Sequence, residues 1–174
     1  ENTSGTANTA LGWNALRFNT TASNNTAVGH QALYDNTTGS LNIALGYQAL
    51  SNNTTADNNT AVGYQALFDN TTGTLNIALG NQALANNTTG YANTAIGVGA
   101  LNSNTVGIFN TAIGRSALIS NTGSYNTSLG WGSGNTVSTG SNNTLIGYNA
   151  QASSATVSNE VTIGDASVTT VRMG

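Results

Sequence analysis

Asn59-Thr60-Ala61-Val62-Gly63-Tyr64-Gln65-Ala66-Leu67 decides the fold, because the chain repeats this phrase along nearly its whole length. Gly63 belongs to a file of glycines. Gly12, Gly29, Gly46, Gly63, Gly80, Gly97 and Gly114 are 17 residues apart. One step of 16 leads to Gly130, and two more of 17 reach Gly147 and Gly164. Most of them close the phrase Asn-Thr-Ala-aliphatic-Gly or a near variant. A fixed short period means one small unit stacked along an axis.

The residues around this phrase narrow the unit. Asn and Thr each occur 28 times in 174 residues, with 21 Gly and no Pro, Cys or Lys. Gly, Asn, Thr and Val are poor helix formers, and no window carries a 3.6-residue apolar period. A helical pair repeat of 34 residues is therefore rejected. No Asn-Gly or Asp-Gly dipeptide occurs, so the strongest signal for tight antiparallel hairpins is missing too. Parallel stacking of successive coils is left, at about 4.8 Å per coil. Ten coils make a rod roughly 45–50 Å long.

Aligning the glycines turns the sequence into columns. The residue before each glycine is aliphatic (Leu11, Val28, Leu45, Val62, Leu79, Ile96, Ile113, Leu129, Ile146, Ile163) and is expected to point into the core. Four residues after the glycine, Leu16, Leu33, Leu50, Leu67, Leu84, Leu101 and Leu118 form a second expected core column. Alanine precedes both columns, which implies close approach of another layer, expected to be a second chain. Asn-Thr-Thr-Gly or a relative fills the interval, as at 36–39, 70–73 and 87–90. Asn and Gly tolerate left-handed backbone and favour turns. The unit thus reads as strand, glycine corner, strand, turn, with four or five residues per strand.

Two asparagine columns complete the pattern. One runs through Asn8, Asn25, Asn42, Asn59, Asn76, Asn93, Asn110, Asn126 and Asn143, the other through Asn19, Asn36, Asn53, Asn70, Asn87, Asn104 and Asn121. Stacked amides carry both donors and an acceptor, so a column can bond to itself as a ladder.

The repeated Asn-x-Ala-aliphatic-Gly phrase resembles the head repeats of trimeric autotransporter adhesins and, equally, the shaft repeats of phage tail fibres and tail spikes. The likeness covers about residues 8–164, with a 17-residue unit slightly longer than the usual adhesin repeat. It implies a left-handed parallel β-roll, three chains around one axis, an extracellular place on a virion or a bacterial surface, and a role in attachment or as a rigid shaft. The run from Asn159 to Gly174 resembles the segment ahead of the self-cleaving chaperone domain that trimerises many phage fibres. Glu1 in place of an initiator Met suggests a fragment or a processed product.

Chemistry is nearly absent from the sequence. Nine residues are charged, and three arginines (Arg17, Arg115, Arg172) cannot neutralise a nucleic-acid backbone. No segment approaches the ~20 apolar residues of a membrane helix. Without cysteine there is no disulfide framework or thiolate metal site. No Ser/His/Asp set or carboxylate pair occurs. Asp35 and Asp69 are equivalent residues two coils apart, and the single histidine, His30, fills an aromatic slot. No catalytic residue, metal or cofactor is expected.

The column just after the glycine draws the eye instead: Trp13, His30, Tyr47, Tyr64, Asn81, Val98, Arg115, Trp131 and Tyr148. Its rings have two readings, stacking on host-surface sugars or packing at a corner or subunit boundary. Residues 24–57 and 58–91 are near copies, as of a recent duplication. The chain divides into a lead-in (1–7), regular coils (8–130) and a degenerate C-terminal part (131–174) that loses the Ala-Leu phrase. The expectation is an all-β parallel β-roll of about ten coils, homotrimeric, serving attachment or as a shaft. A ligand-free spacer and an ice-binding solenoid are the alternatives.

Overall fold

A computed structural model describes residues 2–172 and contains no helix among them. Ten three-residue strands follow one another: β1 (Thr9–Leu11), β2 (Thr26–Val28), β3 (Ile43–Leu45), β4 (Thr60–Val62), β5 (Ile77–Leu79), β6 (Thr94–Ile96), β7 (Thr111–Ile113), β8 (Thr127–Leu129), β9 (Thr144–Ile146) and β10 (Val161–Ile163). They form one sheet in sequence order, every neighbour parallel. Register follows the glycine period: Thr60 pairs with Ile77, Ala61 with Ala78, Val62 with Leu79. Across the 16-residue step Thr111 pairs with Thr127. The protein is a parallel β-solenoid of 17-residue coils.

Each coil has one strand, not two. β-branched Thr or Ile opens most of the strands, and the next two residues stay extended. The glycine then bends the chain at φ +121 to +140 in nine successive corners, Gly12 to Gly147. At Gly63 a Cβ would lie 2.5 Å from the carbonyl oxygen of Gly80, so the stack itself excludes a side chain there. The segment expected as a second strand is a run of turns. Its alternate residues are left-handed, as at Gln48 (φ 53) and Leu50 (φ 52). Hydrogen bonding between coils continues regardless. Gln48 N donates to His30 O at 2.9 Å, and Leu50 N donates to Ala66 O at 3.0 Å, one coil down and one coil up.

In these three-residue strands the middle residue faces inward and its two neighbours face out. Alanine holds that slot, and Ala27, Ala44, Ala61, Ala78, Ala95 and Ala112 are fully buried. They share the core with Ala32, Ala49, Ala66 and the leucine file Leu33, Leu50, Leu67 and Leu84. This overturns two expectations. The aliphatic residue before each glycine points outward, with Val62 38% and Leu129 47% exposed. The alanines are small because Leu of the same chain closes over them, not because a second chain does.

The 131–174 part keeps the solenoid by compensation. Gly134 stands where earlier coils have Leu, and Leu145 stands where they have inward Ala. A Cβ on Gly134 would lie 2.7 Å from Leu145 Cδ1, so Leu145 fills the room that Gly134 vacates. In the same coil as Gly134, Ser128 and Ser133 replace the alanine pair and hydrogen-bond to each other within the core. Ser128 Oγ also donates to Ser133 O at 2.8 Å. At the other end Asn2 already occupies a coil position. Asn19 donates to its Oδ1 at 2.9 Å.

Candidate functional site

Polar groups inside the stack are consumed by the stack. In the 19-to-121 file each asparagine up to Asn104 donates to the one below: Asn53 to Asn36 at 2.8 Å, Asn70 to Asn53 at 3.0 Å, Asn87 to Asn70 at 2.8 Å. The second amide hydrogen goes to the carbonyl that ends the same turn, Asn36 to Gly39 O at 2.8 Å. The other file works differently. The side-chain oxygens of Asn25, Asn42 and Asn59 accept the backbone N–H of the next asparagine up, at 2.9–3.0 Å. Asn25 Nδ2 reaches the same Gly39 O at 2.9 Å, so the two files meet on one carbonyl. These asparagines and Asn76 are buried and hold the fold. The threonine before each turn is likewise engaged, Thr37 Oγ1 donating to Thr54 O at 2.9 Å.

The surface is where an outside partner has something to meet. Its largest feature is an apolar strip on the outer face of the sheet. One row is the aliphatic file before the glycines. The second row is the first strand residue, Thr in most coils but Ile43, Ile77 and Val161 in three. The third row lies five residues before each glycine, and every member is left-handed, from Ala7 (φ 56) to Asn159 (φ 64). Asn24, Asn58, Asn142 and Asn159 are natural occupants of such a position. Leu41, Leu75, Phe109 and Tyr125 are not. These four are also 47–58% exposed. Bulky apolar residues thus sit in a backbone conformation that disfavours them and in contact with water. Sequence reasoning passed over this row, although a leucine in an asparagine column was visible there.

The second feature is the ring file just past the glycine corner. Trp13, Tyr47, Tyr64, Trp131 and Tyr148 are all exposed. Trp13 stacks on His30 with centroids 4.7 Å apart, His30 on Tyr47 at 4.9 Å and Tyr47 on Tyr64 at 5.3 Å, all within 22° of parallel. Trp131 stacks on Tyr148 at 5.1 Å. The structure therefore splits the file into a stack of four and a stack of two, separated by Asn81, Val98 and Arg115. Ring faces look along the rod and cover one another, while the edges look outward. His30 Nδ1 is buried in this stack without a partner. A separate run of three rings, Tyr91 to Phe109 at 5.2 Å and Phe109 to Tyr125 at 5.4 Å, lies along the third row of the strip.

Charged groups stay dispersed. Asp69 accepts from Asn52 Nδ2 at 2.9 Å, and Asn52 lies one coil from both Asp69 and Asp35. Burial raises the Asp35 carboxyl above its ordinary value. Glu160 replaces an asparagine of the buried file, and the hydroxyls of Ser153 and Thr162 hold its carboxyl below the usual range. Among the described residues no three His, Cys, Asp or Glu gather where an ion could sit. No helix of the described residues is long and apolar enough to cross a membrane. Comparison of the chain with family models, with curated proteins and with solved structures finds no match.

Proposed function

We propose that this chain is a structural and adhesive segment of a homotrimeric extracellular fibre, on a virion or a bacterial surface, acting as a rigid shaft and carrying attachment. One observation carries the reading. The outer face of the ten-stranded sheet carries an aliphatic residue before the glycine in every coil, widened by Leu41, Ile43, Leu75, Ile77, Phe109 and Tyr125, and water is a poor partner for it. Contiguous exposed apolar patches of this extent mark interaction sites. A second copy of the same rod is the partner that matches its length and period.

Three copies suit the surface better than two. The chain bends at each glycine, and apolar residues line both sides of that bend: the strip before it and the ring file after it. A cyclic trimer uses two patches per chain: the three strips face one another at the axis, level with level, and the ring files flank them. A two-fold dimer uses one patch twice. The shaft role weighs more than the adhesive one, because sugar recognition by aromatic residues needs free ring faces and most of these faces are stacked on each other. Attachment would then fall to ring edges and to the end faces of Trp13, Tyr64, Trp131 and Tyr148.

Sedimentation equilibrium of the whole chain at micromolar concentration tests the reading. A mass three times 17.5 kDa is expected. A folded monomer at every concentration would overturn it. Ice binding is the weaker alternative. The outward threonine row of the sheet is broken by Ile43 and Ile77, and the first threonine of each turn pair, such as Thr37 and Thr54, spends its hydroxyl on the next coil. Freezing hysteresis at millimolar protein would revive it.

A further inference from the structure

The apolar strip is banded, and the bands have twice the period of the coils. At β3 the three rows read Leu41, Ile43, Leu45; at β5 they read Leu75, Ile77, Leu79. At β2 and β4 between and before them they read Asn24, Thr26, Val28 and Asn58, Thr60, Val62. Further on, Phe109 and Tyr125 mark β7 and β8, whereas Asn142 marks β9. Greasy and polar bands thus alternate every two coils, about 9–10 Å, and then change character toward the C-terminal end.

We infer that this banding is an alignment code, which holds a second copy of the chain parallel to the first and without axial stagger. The inference rests on the self-association proposed above. The strip is large enough to support it. Ten coils of about 4.8 Å and five residues of about 3.3 Å give about 800 Å² per chain, equal to the ~800 Å² per partner of a standard interface. No Asp, Glu, Lys or Arg occupies any of the three rows in any coil, so nothing repels a like face.

Alignment then follows from matching. Parallel and unstaggered, every band meets its equal: Leu41 and Ile43 meet apolar side chains, and Asn58 and Thr60 meet polar ones. A slip of one coil sets Leu41 and Ile43 against Asn58 and Thr60 and buries amides without partners. Antiparallel pairing matches β3 with β5 only by turning about β4, which leaves β8, β9 and β10 beyond the partner's end. A staggered contact also repeats without closing, so it builds open bundles in place of a closed oligomer. The left-handed Leu41 and Leu75 fit this role. Their exposure and conformation are unfavourable in a lone chain, and both bands become buried when equals meet.

The experiment uses the whole chain, which has no cysteine of its own. Thr55→Cys and Thr89→Cys, exposed turn positions two coils apart and off the strip, are spin-labelled separately. Inter-label distances are then read in the oligomer. The expected result is one narrow distance, the same at both sites. The band-erased variant carries Leu41→Asn, Ile43→Thr, Leu75→Asn and Ile77→Thr. Each replacement is the residue the chain already has at that place in β2 and β4, so coil folding is preserved. In this variant the distances should spread in coil-sized steps and species heavier than the wild-type oligomer should appear. Different or broad distances in the wild type, or an erased variant as narrow as the wild type, would overturn the alignment code alone. A wild type that stays monomeric would remove the self-association reading beneath it.

Discussion

Val62 and Leu67 are both aliphatic, lie five residues apart and have opposite fates. Val62 ends a three-residue strand whose single inward slot belongs to Ala61, so it faces out. Leu67 sits at φ 51, an unfavourable backbone for leucine, and is fully buried. The turn aims its side chain beneath the sheet, and burial offsets the strain. Neither outcome follows from hydrophobicity. The corner glycine between them was legible, because a glycine repeated every 17 residues has few explanations besides a backbone that no side chain permits. Which neighbours point inward was not legible, since alternation puts Ala61 and Val62 on opposite faces without saying which face is the core. Urea unfolding at a series of protein concentrations separates the two residues. Leu67→Ala should lower stability by about 2–5 kcal/mol at every concentration. Val62→Ala should leave the dissociated chain within about 0.5 kcal/mol of the original and weaken only the concentration-dependent part.

A coil is held by its asparagines as much as by its leucines. The amide files were readable because the same residue at the same place in successive coils can only face itself in a parallel stack. Their division of labour was not readable: one file bonds amide to amide, the other amide to backbone. The missing second strand was equally hidden, since Gln-Ala-Leu contains no turn former and yet makes two left-handed steps per coil. The 16-residue coil is the useful defect. It lacks one residue between Thr122 and Gly123, reading Asn-Thr-Gly where the regular turn has Asn-Thr-Thr-Gly. Asn121 Nδ2 accordingly reaches Gly123 O at 3.0 Å but not Asn104, whose Oδ1 is left buried and unpartnered. Inserting a threonine between Thr122 and Gly123 should restore the rung. The expected gain is about 0.5–1.5 kcal/mol, the net worth of one hydrogen bond. A fall in the urea midpoint would mean that the short turn, and not the rung, is what this coil needs.

At the scale of the rod, among the described residues each strand contacts only the strands next to it in the stack. Stability is then close to a sum of coil terms and neighbour terms. Length becomes a free variable so long as whole coils are added or removed and both the amide files and the surface bands stay in phase. Residues 24–57 satisfy both conditions. They are two coils, they are nearly duplicated by 58–91, and removing them joins Ser23 to Asn58 where Ser23 met Asn24 before. Leu11 of β1 then lies beneath Val62 of β4, as it lay beneath Val28. Solution scattering of this deletion should give an unchanged cross-section and a rod shorter by about 9–10 Å. Loss of the folded cross-section would mean that contacts beyond nearest neighbours hold the stack. A single-coil deletion of residues 41–57 makes the contrast. It too keeps the glycine period, but it sets Asn24 and Thr26 directly below Asn58 and Thr60, doubling a polar band. Its rod should shorten by about 4.8 Å and fold as before, while mixed with full-length chains it should be excluded from their oligomers.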